Sequence, residues 1–356
     1  MGEEEVDSGE ARLARARSVL GDDHLETLSI AYAVAAGLRG QGRHDRAREI
    51  GEESLQHARQ SWGDDHPVTL TLASSLAVDL NSLGRRDEAE QLEKEAFEHR
   101  RRLLGPDHPD TLASANNLAA YLARRGEHEL AHRLDEDTHE RCRRALGPDH
   151  PDTLTSAGNL AADLRRQGEH KAAALLDHQS LERRLALLGP DHPDTLRSAA
   201  ALGADLRGLG EYQTALGFDE DTLVRRHHVL GSDHPDTLSS AGDLADDLRA
   251  LGDFDRAGQL QEGVYAWRRK LLGEDHPGTL RAADLLAGDL RALGKHEAAR
   301  RLDEVTYAQR QRSLGAEHPL TRASAANLAL DAHVPTETGP AGQARHRRPW
   351  HRAQPG

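Results

Sequence analysis

The chain has 356 residues, of which 37% are hydrophobic, 30% are charged and only 3% are aromatic, and its formal net charge is -14. This apolar fraction is low for a compact globular protein, and the shortage of aromatic side chains leaves leucine and alanine to build the core. The acidic balance also argues against nucleic-acid binding, because a phosphate backbone requires a basic surface and single strands require stacking platforms.

The compartment can be predicted from the cysteine content and from the start of the chain. Cys142 is the only cysteine, so no intramolecular disulfide can form, as is usual in a reducing cytosol. The acidic residues 1–5 lack the basic and apolar regions of a signal peptide. No run approaches the roughly 20 apolar residues needed to cross a bilayer. We therefore expect a cytoplasmic protein without a membrane span. Separately, the excess of arginine over lysine is typical of a GC-rich bacterial genome.

The first predicted element is a helix over residues 8–20 that matches the second helix of the repeats following it. Its first helix is missing, so residues 1–23 are predicted to hold an unpaired second helix. Such a helix can cap the end of a stack of repeats. Alternatively, the chain was cut from a longer array, since Met1 falls inside a repeat.

Residues 24–317 form seven units of 42 residues without any insertion. Each unit follows a short anchor, Leu-Gly-x-Asp/Glu-His, in which Trp62 once replaces the leucine and the earliest copy reads Gly-Asp-Asp-His. The anchor histidines are His24, His66, His108, His150, His192, His234, His276 and His318. A constant period of this length predicts a repeat architecture.

Each unit is predicted to contain two helices. Pro151 and Asp152 suit the first turn of a helix, where proline is tolerated and an acid complements the helix dipole. Apolar residues then recur at helical spacing until a glycine suited to a left-handed helix end, as at Gly168. The second helix carries a fixed alanine with a large apolar residue three positions later, as in Ala173 and Leu176. These small and large residues allow the paired helices to approach closely.

Two segments follow the last complete unit. Residues 318–331 match a first helix whose partner is missing. Residues 332–356 contain four prolines and a basic cluster, Arg345-His346-Arg347-Arg348, and are predicted to be a disordered tail. Its four arginines are a weak signal for binding to an anionic surface.

The repeats resemble the 42-residue tetratricopeptide variant of kinesin light chains and of bacterial arrays associated with NB-ARC signalling proteins. The resemblance is carried by residues 147–154, by Asn116-Asn117-Leu118-Ala119 and by the turn from Gly210 to Ala215. It implies an all-α, right-handed superhelical solenoid of antiparallel helix pairs. Leucines and aspartates replace tyrosines that are common in the family, and the aspartates are Asp135, Asp177, Asp219 and Asp303. The binding preferences of aromatic-rich relatives therefore cannot be transferred to this chain.

The first helices are expected to line a concave groove that binds a peptide. Small residues at Gly158, Ala162, Ala200, Ala204 and Gly242 would admit an extended chain, and Asn117 and Asn159 could bond its backbone. Kinesin light chains use groove asparagines in this way, so the resemblance supports that role. The remaining candidates are an acidic row (Asp79, Asp163, Asp205, Asp247 and Asp289) and an arginine row (Arg165, Arg207, Arg249 and Arg291). These rows either recognise charge on the peptide or, as we favour, form solvated ladders of exposed ion pairs between repeats.

Metal binding and catalysis are not expected from the sequence. The anchor histidines lie on successive units and cannot converge on one ion, so we interpret them as helix-start residues. Arginines around Cys142 could lower its pKa, but no catalytic partner is evident and an incidental thiol is the favoured interpretation.

The sequence therefore predicts a scaffold or adaptor that binds a protein or peptide, without a cofactor, nucleic acid, membrane or small-molecule substrate. The alternative is a sensor subunit acting in trans on a separate signalling NTPase, since no Walker-type phosphate-binding motif occurs in this chain. An enzyme of unknown class and a fragment without a role are two further alternatives.

Overall fold

A computed structural model describes the backbone of residues 3–332 and the side chains of residues 8–330. This part of the chain contains sixteen α-helices and no strand. The helices are α1 (Glu3–Leu20), α2 (Leu25–Gly40), α3 (His44–Trp62), α4 (Pro67–Ser82), α5 (Arg86–Leu104), α6 (Pro109–Arg125), α7 (His128–Ala145), α8 (Pro151–Arg166), α9 (His170–Leu188), α10 (Pro193–Gly208), α11 (Tyr212–Leu230), α12 (Pro235–Ala250), α13 (Phe254–Leu272), α14 (Pro277–Ala292), α15 (His296–Leu314) and α16 (Pro319–Ala332). The predicted tail lies, apart from Ala332, outside the described residues.

The chain divides into two compact units between Val229 and Leu230, with α1 to α11 in the first and α12 to α16 in the second. Consecutive helices pack against each other from α1 to α10 and from α12 to α16. In the first unit, first helices of successive repeats also touch, as α2 touches α4 and α8 touches both α6 and α10. The predicted all-α architecture of stacked helix pairs is confirmed.

The anchor histidines begin the first helices by accepting a hydrogen bond from the chain. In His150, Nδ1 accepts from the backbone N–H of Asp152 at 3.2 Å, and the backbone of His150 is extended (φ -69°, ψ 139°). The same bond forms at His24, His66, His108, His192, His234, His276 and His318. A side-chain N-cap contributes about 1 kcal/mol to helix stability, so helix initiation explains the eight anchors.

Glycines at two positions of each repeat end the helices. The turn between the first and second helices uses Gly168 at φ 83°, and the anchor turn uses Gly189 at φ 83°. The equivalent residues of the other units also have positive φ, which a residue with a Cβ adopts only at a cost of about 1–2 kcal/mol. The prediction that glycines in a left-handed conformation end the helices is confirmed.

The core consists mainly of leucine and alanine. The fixed alanine of each second helix is fully buried at Ala47, Ala89, Ala131, Ala173, Ala215, Ala257 and Ala299. Three residues later, Ile50 is buried, whereas the equivalent leucines and Phe218 are only half-buried. The next residue along the helix is buried instead, and in most repeats it is polar, as in Glu93, Asp135 and Asp177. Most second helices therefore bury a carboxyl group beside the predicted alanine and large apolar residue, whereas α3 and α13 have Gly51 and Gln261 there.

Candidate protein-binding surface

The small residues singled out from the sequence form a half-buried stripe on α8 and α10 of the first unit, and Gly242 holds the equivalent position on α12. Gly158 and Ala162 lie on α8, and Ala200 and Ala204 occupy the same positions on α10. A Cβ atom built on Gly158 would meet no atom within 4 Å, and the same is true of Gly242 in the second unit. These positions face open space, which leaves room for a chain lying along the first helices of the first unit.

The two candidate asparagines are partly exposed and lie next to buried acids of the preceding second helix. Burial raises the pKa of Glu93 and raises that of Asp135 to about 7. Asn117 lowers the pKa of Glu93 and Asn159 lowers that of Asp135, as an amide N–H directed at a carboxylate does. Each asparagine therefore neighbours a buried acid, while part of its surface remains accessible.

The acidic row lies inside the helix stack. Asp79, Asp163, Asp205, Asp247 and Asp289 are all at most 2% exposed. The expectation that these residues form solvated, exposed pairs is therefore wrong. They lie one residue from the leucine seam of the first helix, on the side covered by the preceding repeat, and their carboxyl groups have no free surface to present to a peptide.

The arginine row connects helices that belong to successive repeats. Arg165 donates from Nε to Asp205 Oδ1 at 2.5 Å and from Nη2 to Asp205 Oδ2 at 3.1 Å. The same Nη2 donates to Asp177 Oδ2 at 2.6 Å and to the carbonyl of Ala201 at 3.2 Å. One guanidinium thus bridges α8, α9 and α10, which is the geometry for which an arginine fork is suited.

Equivalent bridges recur in both units. In the first, Arg39 donates to both oxygens of Asp79 at 2.7 and 3.0 Å, and Arg207 pairs with Asp219. In the second, Arg249 donates to Asp289 at 2.6 and 2.9 Å, and Arg291 pairs with Asp303. The structure therefore brings the predicted arginine and aspartate rows together as a ladder of ion pairs between helices. Asp163 is an exception, because it bonds Arg166 of its own helix and no arginine of the preceding repeat bridges it.

Sequence inspection missed two sets of buried polar residues. The first set is the acids of the second helices, Asp177, Asp219 and Asp303, which appeared only as departures from the tyrosines of the resembled family. The second set is a row of buried arginines, in which Arg184 donates to Ser198 Oγ at 2.5 Å and Arg310 donates to Ser324 Oγ at 2.7 Å. Their recurrence at the repeat period was the available signal, since a buried polar group must find a partner.

Cys142 occupies the position of that buried arginine row in its own repeat. The thiol is fully buried, and burial raises its pKa to about 11. The suggestion that nearby arginines lower this pKa is wrong, because the loss of solvation raises it. Among the described residues no group of three or more His, Cys, Asp or Glu side chains could hold a metal ion. In the same part of the chain, every helix is too short or too polar for a bilayer crossing.

Comparison with known structures gives matches to helical repeat proteins. A putative kinesin light chain of Podosopora anserina with nearly identical TPR-like repeats is 28% identical with a TM-score of 0.51, covering 58% of this chain and 98% of that one. A Rap protein complexed with Competence and Sporulation Factor is 11% identical with a TM-score of 0.60, covering 86% of this chain and 88% of that one.

A third structure belongs to a signal transduction ATPase with numerous domains (STAND) from Pyrococcus horikoshii, which carries a tetratricopeptide repeat sensor. It is 14% identical with a TM-score of 0.57, and the match covers 93% of this chain and 50% of that one. At such low identity, the Rap and STAND matches show the fold alone. No protein of curated function matches the sequence.

The sequence profiles of the tetratricopeptide repeat match residues 26–102, 68–141, 113–184 and 236–309, and a second profile of the same repeat matches residues 195–236. Together they cover well over half of the chain. The matched segments coincide with the histidine-capped helix pairs and their ladder of buried ion pairs. This chain belongs to the tetratricopeptide repeat family.

Proposed function

We propose that the protein is a scaffold or adaptor that binds an extended segment of another protein along the first helices of its first unit. The observation that carries this proposal is the half-buried stripe of small residues, with open space above Gly158 and partly exposed asparagines beside it. Tetratricopeptide repeat proteins bind protein or peptide ligands, which agrees with this surface.

Asn117 and Asn159 are well placed to bind a peptide backbone. An amide that directs one N–H at the neighbouring carboxylate keeps its oxygen and its second N–H for a ligand. We expect the buried acid to orient the amide before the ligand arrives, which lowers the entropic cost of binding. The buried aspartates and the arginines that bridge them serve mainly to hold the helices in register.

A site-specific crosslinker provides the test. A photoreactive phenylalanine derivative placed at Ala162, on the stripe, should crosslink a partner in cells, while the same group at Gly217 should not. Gly217 is an exposed residue of the second helix α11 with open space around it, so it is a matched control for accessibility. Mass spectrometry of the crosslinked species identifies the partner and the contacting segment.

Two substitutions then separate binding from folding. Gly158→Gln fills the open strip with a residue of good helix propensity, so it should abolish the crosslink at Ala162 while leaving the helix intact. The double variant Asn117→Ala/Asn159→Ala should weaken the same crosslink. Undiminished crosslinking in both variants, or equal crosslinking from Gly217, would reject the stripe as the binding surface.

The alternative function is regulation in trans of a nucleotide-dependent signalling protein. It is favoured by the match between nearly the full length of this chain and half of a STAND ATPase that has a tetratricopeptide repeat sensor. A partner identified by the crosslink would decide between the two: regulation requires an NTPase whose nucleotide turnover changes when the chain is added.

A further inference from the structure

Arg165 shows how two buried carboxyl groups of neighbouring helices are both hydrogen-bonded by one guanidinium in this fold. Asp177 on α9 and Asp205 on α10 are at most 2% exposed, and we call them the α9–α10 carboxylate pair. Arg165 reaches them from the end of α8 and bonds both. Neither aspartate retains a buried oxygen without a hydrogen-bond partner. The guanidinium therefore completes this pair.

One repeat earlier, the same two carboxyl groups are present but the arginine is not. Asp135 on α7 and Asp163 on α8 are each 2% exposed, and we call them the α7–α8 carboxylate pair. The position equivalent to Arg165 is Ala123, near the end of α6, whose methyl group cannot reach either acid. Oδ1 of Asp135 and Oδ2 of Asp163 have no hydrogen-bond partner among the described residues. A buried carboxyl oxygen without a partner costs about 1–3 kcal/mol, so this pair is incomplete.

Neighbouring side chains do not replace the missing guanidinium. Arg166 bonds Oδ1 of Asp163, and its charge also lowers the pKa of Asp135, but its side chain is 37% exposed and it leaves the two buried oxygens named above without a hydrogen bond. Asn159 lowers the pKa of Asp135 but is uncharged, and Nδ1 of His132 lies 4.0 Å from Oδ2 of Asp163, which is beyond hydrogen-bond distance. None of these neighbours hydrogen-bonds both members of the pair, as Arg165 does in the next repeat.

The position left open by Ala123 can be reached from solvent. Ala123 is half-buried, as is Ala120 one turn earlier on the same face of α6. In the next repeat, the side chain of Arg165 runs along the equivalent path and remains 25% exposed. A side chain entering from the stripe of small residues would thus follow a route that an arginine of the chain already takes one repeat later.

We propose that the α7–α8 carboxylate pair binds an arginine side chain of the partner segment, whose guanidinium enters beside Ala123 and occupies the place that Arg165 fills in the next repeat. This inference rests on the proposed function, because it identifies one residue of the segment bound there. A planar fork of five donors can bond two carboxylates at once, whereas the ammonium group of lysine is a point charge. The net charge of -14 also favours a basic partner.

Binding of the guanidinium is coupled to loss of a proton. Burial raises the pKa of Asp135 to about 7, although Arg166 opposes this shift. His132 on α7 lies 4.0 Å from Oδ2 of Asp163 on α8, and α6 contributes the uncharged Ala123 at the position of the bridging arginine. Since a guanidinium binds the ionised carboxylate, affinity rises with pH. The ionised fraction grows from about a tenth at pH 6 to about nine-tenths at pH 8, which gives an increase of about 10-fold.

The test uses the full chain and the blocked tripeptide acetyl-Gly-Arg-Gly-amide, followed by isothermal calorimetry and by NMR of the Asp135 and Asp163 signals. Saturable binding is expected, with those signals shifting and with affinity rising about 10-fold from pH 6 to pH 8. The tripeptide with citrulline in place of arginine has the same shape without the charge, and it should not bind. Equal binding of both tripeptides would overturn the proposal.

Two variants locate the site. Ala123→Arg supplies the missing guanidinium from within the chain, so it should abolish tripeptide binding and raise thermal stability. Arg165→Ala vacates the α9–α10 pair, so it should double the number of tripeptide sites. Tripeptide binding that is unchanged in Ala123→Arg would refute the assignment, and so would an unchanged number of sites in Arg165→Ala when that variant retains its helical circular dichroism.

Free L-arginine distinguishes a partner's arginine from a metabolite. Comparable or weaker binding of free arginine supports the partner, whereas binding at least 10-fold tighter than the tripeptide would overturn that identification. The proposed function is tested independently by crosslinking at Ala162. If the tripeptide fails to bind while the crosslink persists, this inference alone is wrong; if the crosslink is absent while the tripeptide binds, the proposed function is wrong.

Discussion

Replacing Arg165 by methionine tests how far the buried ladder determines stability. Methionine retains much of the aliphatic length of arginine but removes the hydrogen bonds to Asp177, to Asp205 and to the carbonyl of Ala201. Both aspartates are at most 2% exposed, so their carboxyl groups lose the bridging guanidinium inside the helix stack. The substitution therefore isolates the electrostatic contribution of one bridge.

The expected loss of unfolding free energy depends on protonation, because a buried carboxylate without its partner can become neutral by binding a proton. Removing one partner of a buried pair typically costs about 3–5 kcal/mol. Protonation sets a ceiling, because neutralising an aspartate whose unfolded-state pKa is about 3.9 costs about 4 kcal/mol at pH 7 and about 1.5 kcal/mol at pH 5. The side chain of Arg165 is 25% exposed, so water relieves part of the penalty. We expect losses of about 3 kcal/mol at pH 7 and about 1 kcal/mol at pH 5.

The sign of this pH dependence is fixed by proton linkage. In the variant, a stranded carboxyl group has a folded-state pKa above its unfolded value, so the folded state holds more protons between those two values. Stability must then fall as pH rises from about 4 towards 7. Burial already raises the pKa of Asp177 to about 7 in the wild type, where Arg165 opposes the shift. Removing Arg165 raises the carboxyl pKa further, so the variant should lose more stability than the wild type on going from pH 5 to pH 7.

Urea unfolding followed by circular dichroism at the two pH values measures the loss, and hydrogen exchange in α8 to α10 locates it. Locality is expected because repeats are stabilised mainly by their neighbours. Arg133→Met is the control, since Arg133 pairs with Glu129 in an ion pair whose side chains are 70% and 72% exposed. That change should cost about 0.2–0.5 kcal/mol. If Arg165→Met costs no more than the control, or costs the same at pH 5 and 7, the reasoning is refuted.

Four further predictions concern single residues. His150→Ala should lose about 1 kcal/mol of unfolding free energy and His150→Asn should retain most of it, because asparagine also caps a helix. Gly168→Ala should lower the melting temperature, since its φ is 83°, while Gly158→Ala should raise it by removing backbone entropy in mid-helix. Cys142 should resist iodoacetamide in the native state at pH 8 and react after unfolding, because burial raises its pKa to about 11. Asp135→Asn should flatten the loss of stability between pH 5 and 8, because burial raises the pKa of Asp135 to about 7 and an amide does not titrate.

The helices and their ends were predictable because they are local. The histidine N-cap, the proline that follows it and the glycine that ends the helix act over a few residues, and each recurs at the repeat period. The fixed alanine at Ala173 was also assigned correctly to the core, since only a small side chain fits where two helices approach closely.

The same pattern failed to predict where charges lie, as Asp205 illustrates. In the sequence, Asp205 lies on a helical face that could equally be exposed to solvent. An aspartate is also rarely buried without a partner, so burial was not the expected state. Its partner Arg165 is 40 residues away and belongs to another repeat, so no local rule brings the two together. The stacking of repeats was therefore needed to show that this acid is buried and to show how it is neutralised.

The sequence alone determined the repeat length, the two helices of each unit and the residues that begin and end them, because these depend on interactions between near neighbours in the chain. Only the tertiary structure decided which polar side chains are buried, which arginine bridges which acids and where a bridge is missing at Ala123. Burial and ion pairing depend on how successive repeats pack, and that packing joins residues separated by nearly a full repeat.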